Sequence, residues 1–341
     1  MAGSRKRATL REVAEATGLS TAAVSYALRG LQVSKETEKR VRQAAAELGY
    51  EADPIARALA SGRTSMVGLL SGSLEDLWQQ QLFFSLGREL LRKDRYALIL
   101  DAGGDPAREL TLARQLRDQR VDGLIVSPLD PSAHAWAELA ESLPVVSIGD
   151  SLSNARAAGA VLFDNRAGVT LALEHLSRLG HQRIAVLTTT RPSTPDRPAD
   201  TYVLEEGARL ELDLTVLAAP QSVAEAEAVA HKALVAPDRP TALFCFSDSI
   251  AYGGYAAARA LGLAIPTDVS IVGYDDHPVS RLLSPTLTTV DWDLESIIRA
   301  AVQLVITAID GRPRRRRIVK PPNLRERDST GRLGGALGPH P

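Results

Sequence analysis

Cysteine is all but missing from this chain. Cys245 is the single one in 341 residues, which excludes a disulfide within the chain. Its setting, Leu243-Phe244-Cys245-Phe246, suits an inert thiol in a buried strand. Long apolar runs are missing too. No window reaches the roughly 20 apolar residues of a membrane-spanning helix. Met1-Ala2-Gly3-Ser4-Arg5-Lys6-Arg7 is basic, with no apolar segment behind it. A secretory signal is therefore not expected, and a cytoplasmic location is. Three chemical signatures are also missing. No G-x-G-x-x-G follows the first apolar strand, and neither G-x-x-x-x-G-K-[ST] nor G-x-S-x-G occurs. These absences argue against a dinucleotide site, a phosphate-cradling loop and a hydrolase nucleophile. Asp275, Asp276 and His277 stand together, but three such residues in a row are a poor metal signal without further ligands. Neither an enzyme nor a cofactor is expected.

Charge of one sign is lacking overall, with a formal net of -1. Its distribution is uneven. Residues 1–64 hold 11 Lys/Arg against 7 Asp/Glu, leaving 29 basic and 34 acidic residues for the remainder. A basic head on an acidic body suits a reader of DNA whose body stays off the phosphates.

The head is dense in helix signals. Thr9 and Glu12 form a capping-box pair, and Leu10, Val13, Ala14 and Thr17 follow at helical spacing. Gly18 ends this helix. Ser20 caps a second over Thr21–Leu28, which Gly30 ends. Ser34, with Thr37 three places on, starts a third that runs to Leu48 and closes at Gly49. Ala23, Val24, Ala27, Val41, Ala44, Ala45 and Leu48 form the expected small core. Two short helices around a tight glycine turn imply a helix-turn-helix with its second helix in a major groove. Asp53 and Pro54 then start a short helix over 55–61, too short to be stable without a partner surface.

From Met66 the pattern becomes alternating strands and helices. Strands are expected near 67–70, 96–100, 123–127, 145–148, 160–163, 184–187, 215–217, 242–246, 269–273 and 317–320. Helices are expected near 77–93, 107–119, 132–141, 167–179, 224–234, 250–261 and 292–309. Near-continuous apolar strands with helical crossovers predict parallel sheets covered on both faces. The fold class is therefore an all-α helix-turn-helix head with a hinge helix, on an α/β two-lobed body with parallel sheets. The expected division is 1–52 for the head, 53–64 for the hinge helix and linker, and 65–330 for the body. Lobe 1 takes about 65–164 and 291–317, and lobe 2 takes 165–290 and 318–330. The Gly/Pro-rich residues 331–341 read as a disordered tail. The basic run Arg312 and 314–317 reads as a solvated edge.

Many ordered marks carry a family resemblance. In the head they are 9–14 (TLREVA), 18–20 (GLS), 23–25 (AVS), Val33-Ser34 and 48–50 (LGY), followed by 56–59 (ARAL). In the body they are 163–165 (FDN), His175-Leu176, 179–181 (LGH) and Leu261-Gly262-Leu263 to Pro266. After these come 272–276 (VGYDD), 287–290 (LTTV), Pro321-Pro322 and 327–330 (RDST). The chain resembles the lactose/galactose repressor family of bacterial transcription regulators from about Thr9 to Thr330. That resemblance implies a periplasmic-binding-protein-like body. It also implies a homodimer reading a near-palindromic double-stranded operator under control of a small, sugar-like effector.

Carried over residue by residue, the resemblance makes Thr21, Ala22 and Tyr26 the base-facing positions. Tyr26 stands where an arginine is frequent, so bidentate guanine reading is not implied; packing against Tyr50 or the third helix is its alternative. Ser20, Ser25 and Arg29 are placed for phosphates, with Thr9 beside them. Leu59 corresponds to a minor-groove wedge, with Arg57 near enough to help. In the body, open parallel sheets bind ligands beyond the carboxyl ends of their strands. The effector candidates there are Ser71, Trp78, Ser127, Asp150, Arg197, Asp248 and Asp275. Asp248 has helix capping as its alternative, and Trp78 a core role. Arg197 heads Arg197-Pro198-Ala199-Asp200-Thr201-Tyr202, which lacks the glycine expected by resemblance. No leucine heptad follows the last strand, so a tail-built tetramer is not expected.

Overall fold

The computed structural model describes residues 8–28, 30–31, 33–50, 62–153, 155–156, 158–189, 199–220, 222–311 and 316–334. The chain forms two compact units, Met1–Thr64 and Ser65–Pro341.

The first unit holds α1 (Leu10–Thr17), α2 (Thr21–Leu28) and α3 (Lys35–Glu47). Local chemistry sets its boundaries. Thr9 N–H donates to Glu12 Oε2 at 2.6 Å, and Glu12 N–H donates back to Thr9 Oγ1 at 3.3 Å. Gly18 closes α1 at φ 64°, a left-handed backbone that costs glycine little. Ser20 Oγ accepts from Ala23 N–H at 3.1 Å, and Ser34 Oγ from Thr37 N–H at 3.2 Å. Val13, Ala14, Val24, Ala27, Val41 and Ala45 form the buried core. Leu48, expected in that core, is instead 43 % exposed. It follows the last turn of α3, and Tyr50 packs on the core in its place.

In the second unit, lobe 1 contains β1 (Met66–Ser71), α4 (Leu77–Leu91), β2 (Tyr96–Asp101), α5 (Pro106–Asp118) and β3 (Gly123–Val126). It continues with α6 (Ala135–Ser142), β4 (Val145–Gly149) and β5 (Gly159–Phe163). Lobe 2 contains α7 (Asn165–Arg178), β6 (Arg183–Thr189), α8 (Ala199–Arg209), β7 (Asp213–Ala219) and α9 (Val223–Leu234). After these come β8 (Ala242–Cys245), α10 (Asp248–Ala260), β9 (Ser270–Gly273), a 3-10 turn (Pro278–Arg281) and β10 (Thr288–Asp291). The chain then returns to lobe 1 for α11 (Leu294–Ile309) and β11 (Arg316–Lys320), and ends in lobe 2 with β12 (Asn323–Arg325).

The sheet of lobe 1 has the order β11-β5-β4-β3-β1-β2, and that of lobe 2 has β12-β10-β9-β8-β6-β7. All pairings are parallel except β10 with β12. Each sheet is covered by helices, and α11 buries Ile297, Ala301, Val302 and Val305. Fully burying one such aliphatic side chain contributes about 1.5–3 kcal/mol. The contact is so close that a Cβ on Gly123 would lie 2.8 Å from Val305 Cγ2.

Three crossings join the lobes, after β5, after β10 and after β11. The last corrects the expected boundary at 317/318. β11 pairs with β5 from Arg316↔Gly159 to Lys320↔Phe163, so the whole strand belongs to lobe 1 and the crossing falls at Pro321-Pro322. β10, β12 and α8 were not expected from the sequence as elements. The start of the expected tail is also anchored. Gly331 N–H donates to Ser270 Oγ at 3.1 Å, and Leu333 N–H to the Leu179 carbonyl at 3.0 Å. His181 Nε2 lies 3.0 Å from the Gly331 carbonyl oxygen. No helix among the described residues is long and apolar enough to cross a membrane.

Candidate DNA-reading head and interlobe site

On the head, α2 buries Val24 and Ala27 and turns its other face outward. Thr21 and Ala22 are exposed, Ser25 is half-buried, and Tyr26 is 41 % exposed. Thr9 and Ser20 are exposed, and both cap their own helices. Arg29, Arg57 and Leu59 lie outside the described residues, as does Arg197.

In the body, the crossings after β5 and β10 each run from a strand's carboxyl end into a helix N-terminus. Helix N-termini in parallel units sit at strand carboxyl ends, so this connectivity turns the carboxyl ends of both sheets toward the crossings. Ser71 closes β1, Ser127 follows β3 and Asp150 follows β4, on three adjacent strands of lobe 1. All three are buried. Ser71 Oγ donates to Gln79 Oε1 at 2.8 Å, so its hydroxyl proton is used within lobe 1.

Aromatic side chains bridge the lobes. Trp78, near the start of α4, meets Phe163 edge-on at 5.6 Å between ring centroids, and Phe163 meets Trp292 at 5.1 Å. Trp292 in turn meets Tyr274 at 5.2 Å, and Tyr274 meets Phe246 at 5.0 Å. Such pairs contribute about 0.5–1.5 kcal/mol each beyond area burial. Two hydrogen bonds tie the row to the backbone. Trp292 Nε1–H donates to the Tyr274 carbonyl at 2.9 Å, and Tyr274 O–H to the Asn165 carbonyl at 3.3 Å. Trp78 is both a core residue and part of this bridge. Its Nε1 is buried with no hydrogen-bond acceptor among the described residues. Phe163 and Tyr274 were marked from the sequence only as family positions, and neither they nor Trp292 were expected as site residues. The available signal was that each lies beside an Asp at a strand end.

The acids of lobe 2 divide sharply in role. Asp248 is 1 % exposed and opens α10. Its Oδ1 accepts from Tyr274 N–H at 2.9 Å, Asp275 N–H at 3.2 Å and Thr289 Oγ1 at 2.5 Å. Its Oδ2 accepts from His277 N–H at 2.8 Å and Ser280 Oγ at 2.5 Å. Both oxygens are spent on the chain itself. This corrects the assignment of Asp248 to the effector set, and also its capping alternative, since Ser247 caps α10. Asp248 is instead a clamp on the loop after β9.

That loop carries Asp275. Asp275 Oδ2 accepts from Asp248 N–H at 2.8 Å, which orients the carboxylate. Burial pushes the Asp275 carboxyl well above its ordinary value, helped by the nearby charges of Asp248 and of Asp76 from lobe 1. Burial also raises Asp248, against the pull of its hydrogen bonds. Asp276 faces away from such a role, because it pairs with Arg281 at 2.9 Å and with Arg327. Among the described residues, no group of three or more His, Cys, Asp or Glu is arranged to hold a metal ion.

The comparisons fit this geometry. Residues 9–53 match the family model for bacterial regulatory proteins of the lacI family, and 173–330 match a periplasmic binding protein-like domain. The ribose operon repressor of Haemophilus influenzae is 32 % identical over 308 residues, covering 89 % of this chain and 92 % of that one. This chain belongs to the lacI family of bacterial regulatory proteins. As a member it is a sequence-specific DNA-binding regulator of transcription and not an enzyme. The transcriptional repressor PurR of Aliivibrio salmonicida is 28 % identical, covering 91 % of this chain and 95 % of that protein. The lac repressor dimer bound to operator and an anti-inducer superposes with a TM-score of 0.84 at 25 % identity, covering 96 % of this chain and all of that one. The regulator CelR in complex with cellobiose gives 0.66 at 25 % identity, covering 95 % of this chain and 100 % of its own.

Proposed function

We propose that this lacI-family member is a repressor whose hold on DNA is set by a small, hydroxyl-rich effector bound between the lobes. The observation that carries the reading is Asp275. It is a half-buried carboxylate just beyond a strand end, oriented by Asp248 and next in sequence to Tyr274 of the aromatic row. A carboxylate accepts two hydroxyls of a sugar-like ring, and aromatic walls pack on its apolar face. The relatives' names point the same way, through a ribose operon repressor and a cellobiose complex.

In this reading the protein is a cytoplasmic homodimer, each head taking half of a near-palindromic operator. Thr21, Ala22 and Tyr26 face base edges, while Thr9, Ser20, Ser25, Arg29 and Arg57 face phosphates. Leu59 wedges into the minor groove at the operator centre, recovering its burial by unstacking a base step. Ser71, Trp78, Ser127, Asp150 and Arg197 line the effector site with Asp275. The effector acts by changing the angle between lobes, which requires that it bind one angle more tightly than the other.

The test is selection of bound duplexes from a random pool, repeated with a panel of sugars. A palindromic consensus is expected, with its recovery altered by at least one sugar. In a Tyr26→Ala variant, one symmetric position of the consensus should relax by about tenfold, the scale of a single base contact of 1–3 kcal/mol. An unenriched pool rejects the reader, and a pool indifferent to every ligand rejects the sensor.

A further inference from the structure

On the outside of lobe 1, α4 and α11 border a groove of about 500 Å³. That volume lies within the range of small-molecule sites. Gln81, Ser85, Arg88 and Arg92 all reach it from α4. Their spacing of four, three and four residues places them on one helix face. Leu294 and Ile298 of α11 give the groove an apolar side, and Arg299 adds a further cation.

The charges there are unevenly balanced. Arg92 pairs with Glu89 at 2.9 Å, and Arg299 with Glu295. Each of those guanidinium groups is neutralised by a carboxylate of its own helix. Arg88 is not. Its guanidinium carbon lies 5.8 Å from the centre of the exposed Phe84 ring, and among the described residues no carboxylate is within ion-pair distance of it. The side chains of Gln81 and Ser85 likewise have no hydrogen-bond partner among the described residues. The groove therefore presents one uncompensated cation, an unused amide and an unused hydroxyl on a single stripe.

We propose that this groove binds a small metabolite carrying a carboxylate or phosphate group, at a site separate from the interlobe cleft. Arg88 would take the anionic oxygens through its planar fork, the geometry in which guanidinium recognition is strongest. Gln81 and Ser85 supply further donors beside it. The two flanking glutamates limit how much negative charge the groove accepts, which favours a ligand of one or two charges. The place also has a consequence for the fold. The first turn of α11 comes directly off the crossing that carries Trp292, so an occupant would tie that crossing to α4.

The test uses the full chain. Binding of inorganic phosphate and of succinate is measured by calorimetry in separate arms, with hydrogen exchange to locate each. At least one probe should bind and protect amides within 85–92 and 294–299. Arg88→Glu should weaken that binding at least tenfold, and Arg88→Lys should recover part of it. The same charge reversal at exposed Arg259 should leave it unchanged, as should Asp275→Asn. Failure of both probes to bind overturns the site. So does equal weakening by the Arg88 and Arg259 reversals, or protection confined to the head or the cleft. None of these failures touches the sugar response assigned to Asp275.

Discussion

In the head, Thr21, Ala22 and Tyr26 stand on a helix whose opposite face holds Val24 and Ala27 in a core of small residues. In lobe 2, Asp275 stands on a loop held by a carboxylate from another helix, through donors as much as 41 positions away. The head thus presents its side chains to solvent from a locally specified helix. The second lobe orients its carboxylate only after distant segments have met. A reader of DNA gains from this, because its contacts stay open to an incoming duplex. A sensor gains from the other arrangement, because a pre-set carboxylate costs little ordering when a ligand arrives.

The largest test of this contrast is Asp248→Ala. It strands five donors, and each buried donor left unpaired costs about 1–3 kcal/mol. With some relaxation and water entry, the body should lose at least about 3 kcal/mol while the head keeps its fold. Trp78, Trp136 and Trp292 are the protein's three tryptophans, and all lie in the body, so their fluorescence during urea unfolding reports it alone. An unchanged midpoint would show that the clamp carries no weight.

Val41→Ala breaks the comparison from the other side. Val41 is fully buried in the head, and removing its two methyl groups should cost about 2 kcal/mol. Operator binding should fail at a lower temperature while the tryptophan-monitored midpoint stays in place. A coupled shift of both would mean that the two units do not unfold separately.

Asp275→Asn changes a slope. The folded carboxyl titrates well above the unfolded value of about 3.9. The wild-type body is thus at full stability below that value and loses stability as pH rises through the raised folded value. Asparagine keeps an acceptor for Asp248 N–H and does not ionise. The variant should gain on the wild type progressively above about pH 4, while its operator binding stops responding to sugar. A pH-independent difference would place the carboxyl outside the buried cluster.

Much of this contrast explains what was legible beforehand. The caps Thr9, Ser20 and Ser34 and the stop at Gly18 involve residues within a few positions of one another, so the helices of the head follow from local rules. Leu48 was misplaced because helical spacing cannot tell that α3 ends one residue before it. β12 escaped because it spans only three residues, below the length at which alternation carries a signal, and β10 because Thr288-Thr289-Val290-Asp291 lacks the continuous apolar run that marked the other four-residue strands. The strand-end rule found Asp275 and Asp248 equally. It could not say that one is oriented and the other consumed, since that depends on Thr289, Ser280 and the backbone after β9.

The order of residues therefore determined the helix-turn-helix, the alternation of strands and helices, and the acids at strand ends, because caps, turns and apolar periodicity act over a few positions. Tertiary structure decided the crossing at Pro321-Pro322, the aromatic bridge and the division of labour between Asp248 and Asp275. Hydrogen bonds and ring contacts between segments far apart in the chain exist only once the lobes have closed around them.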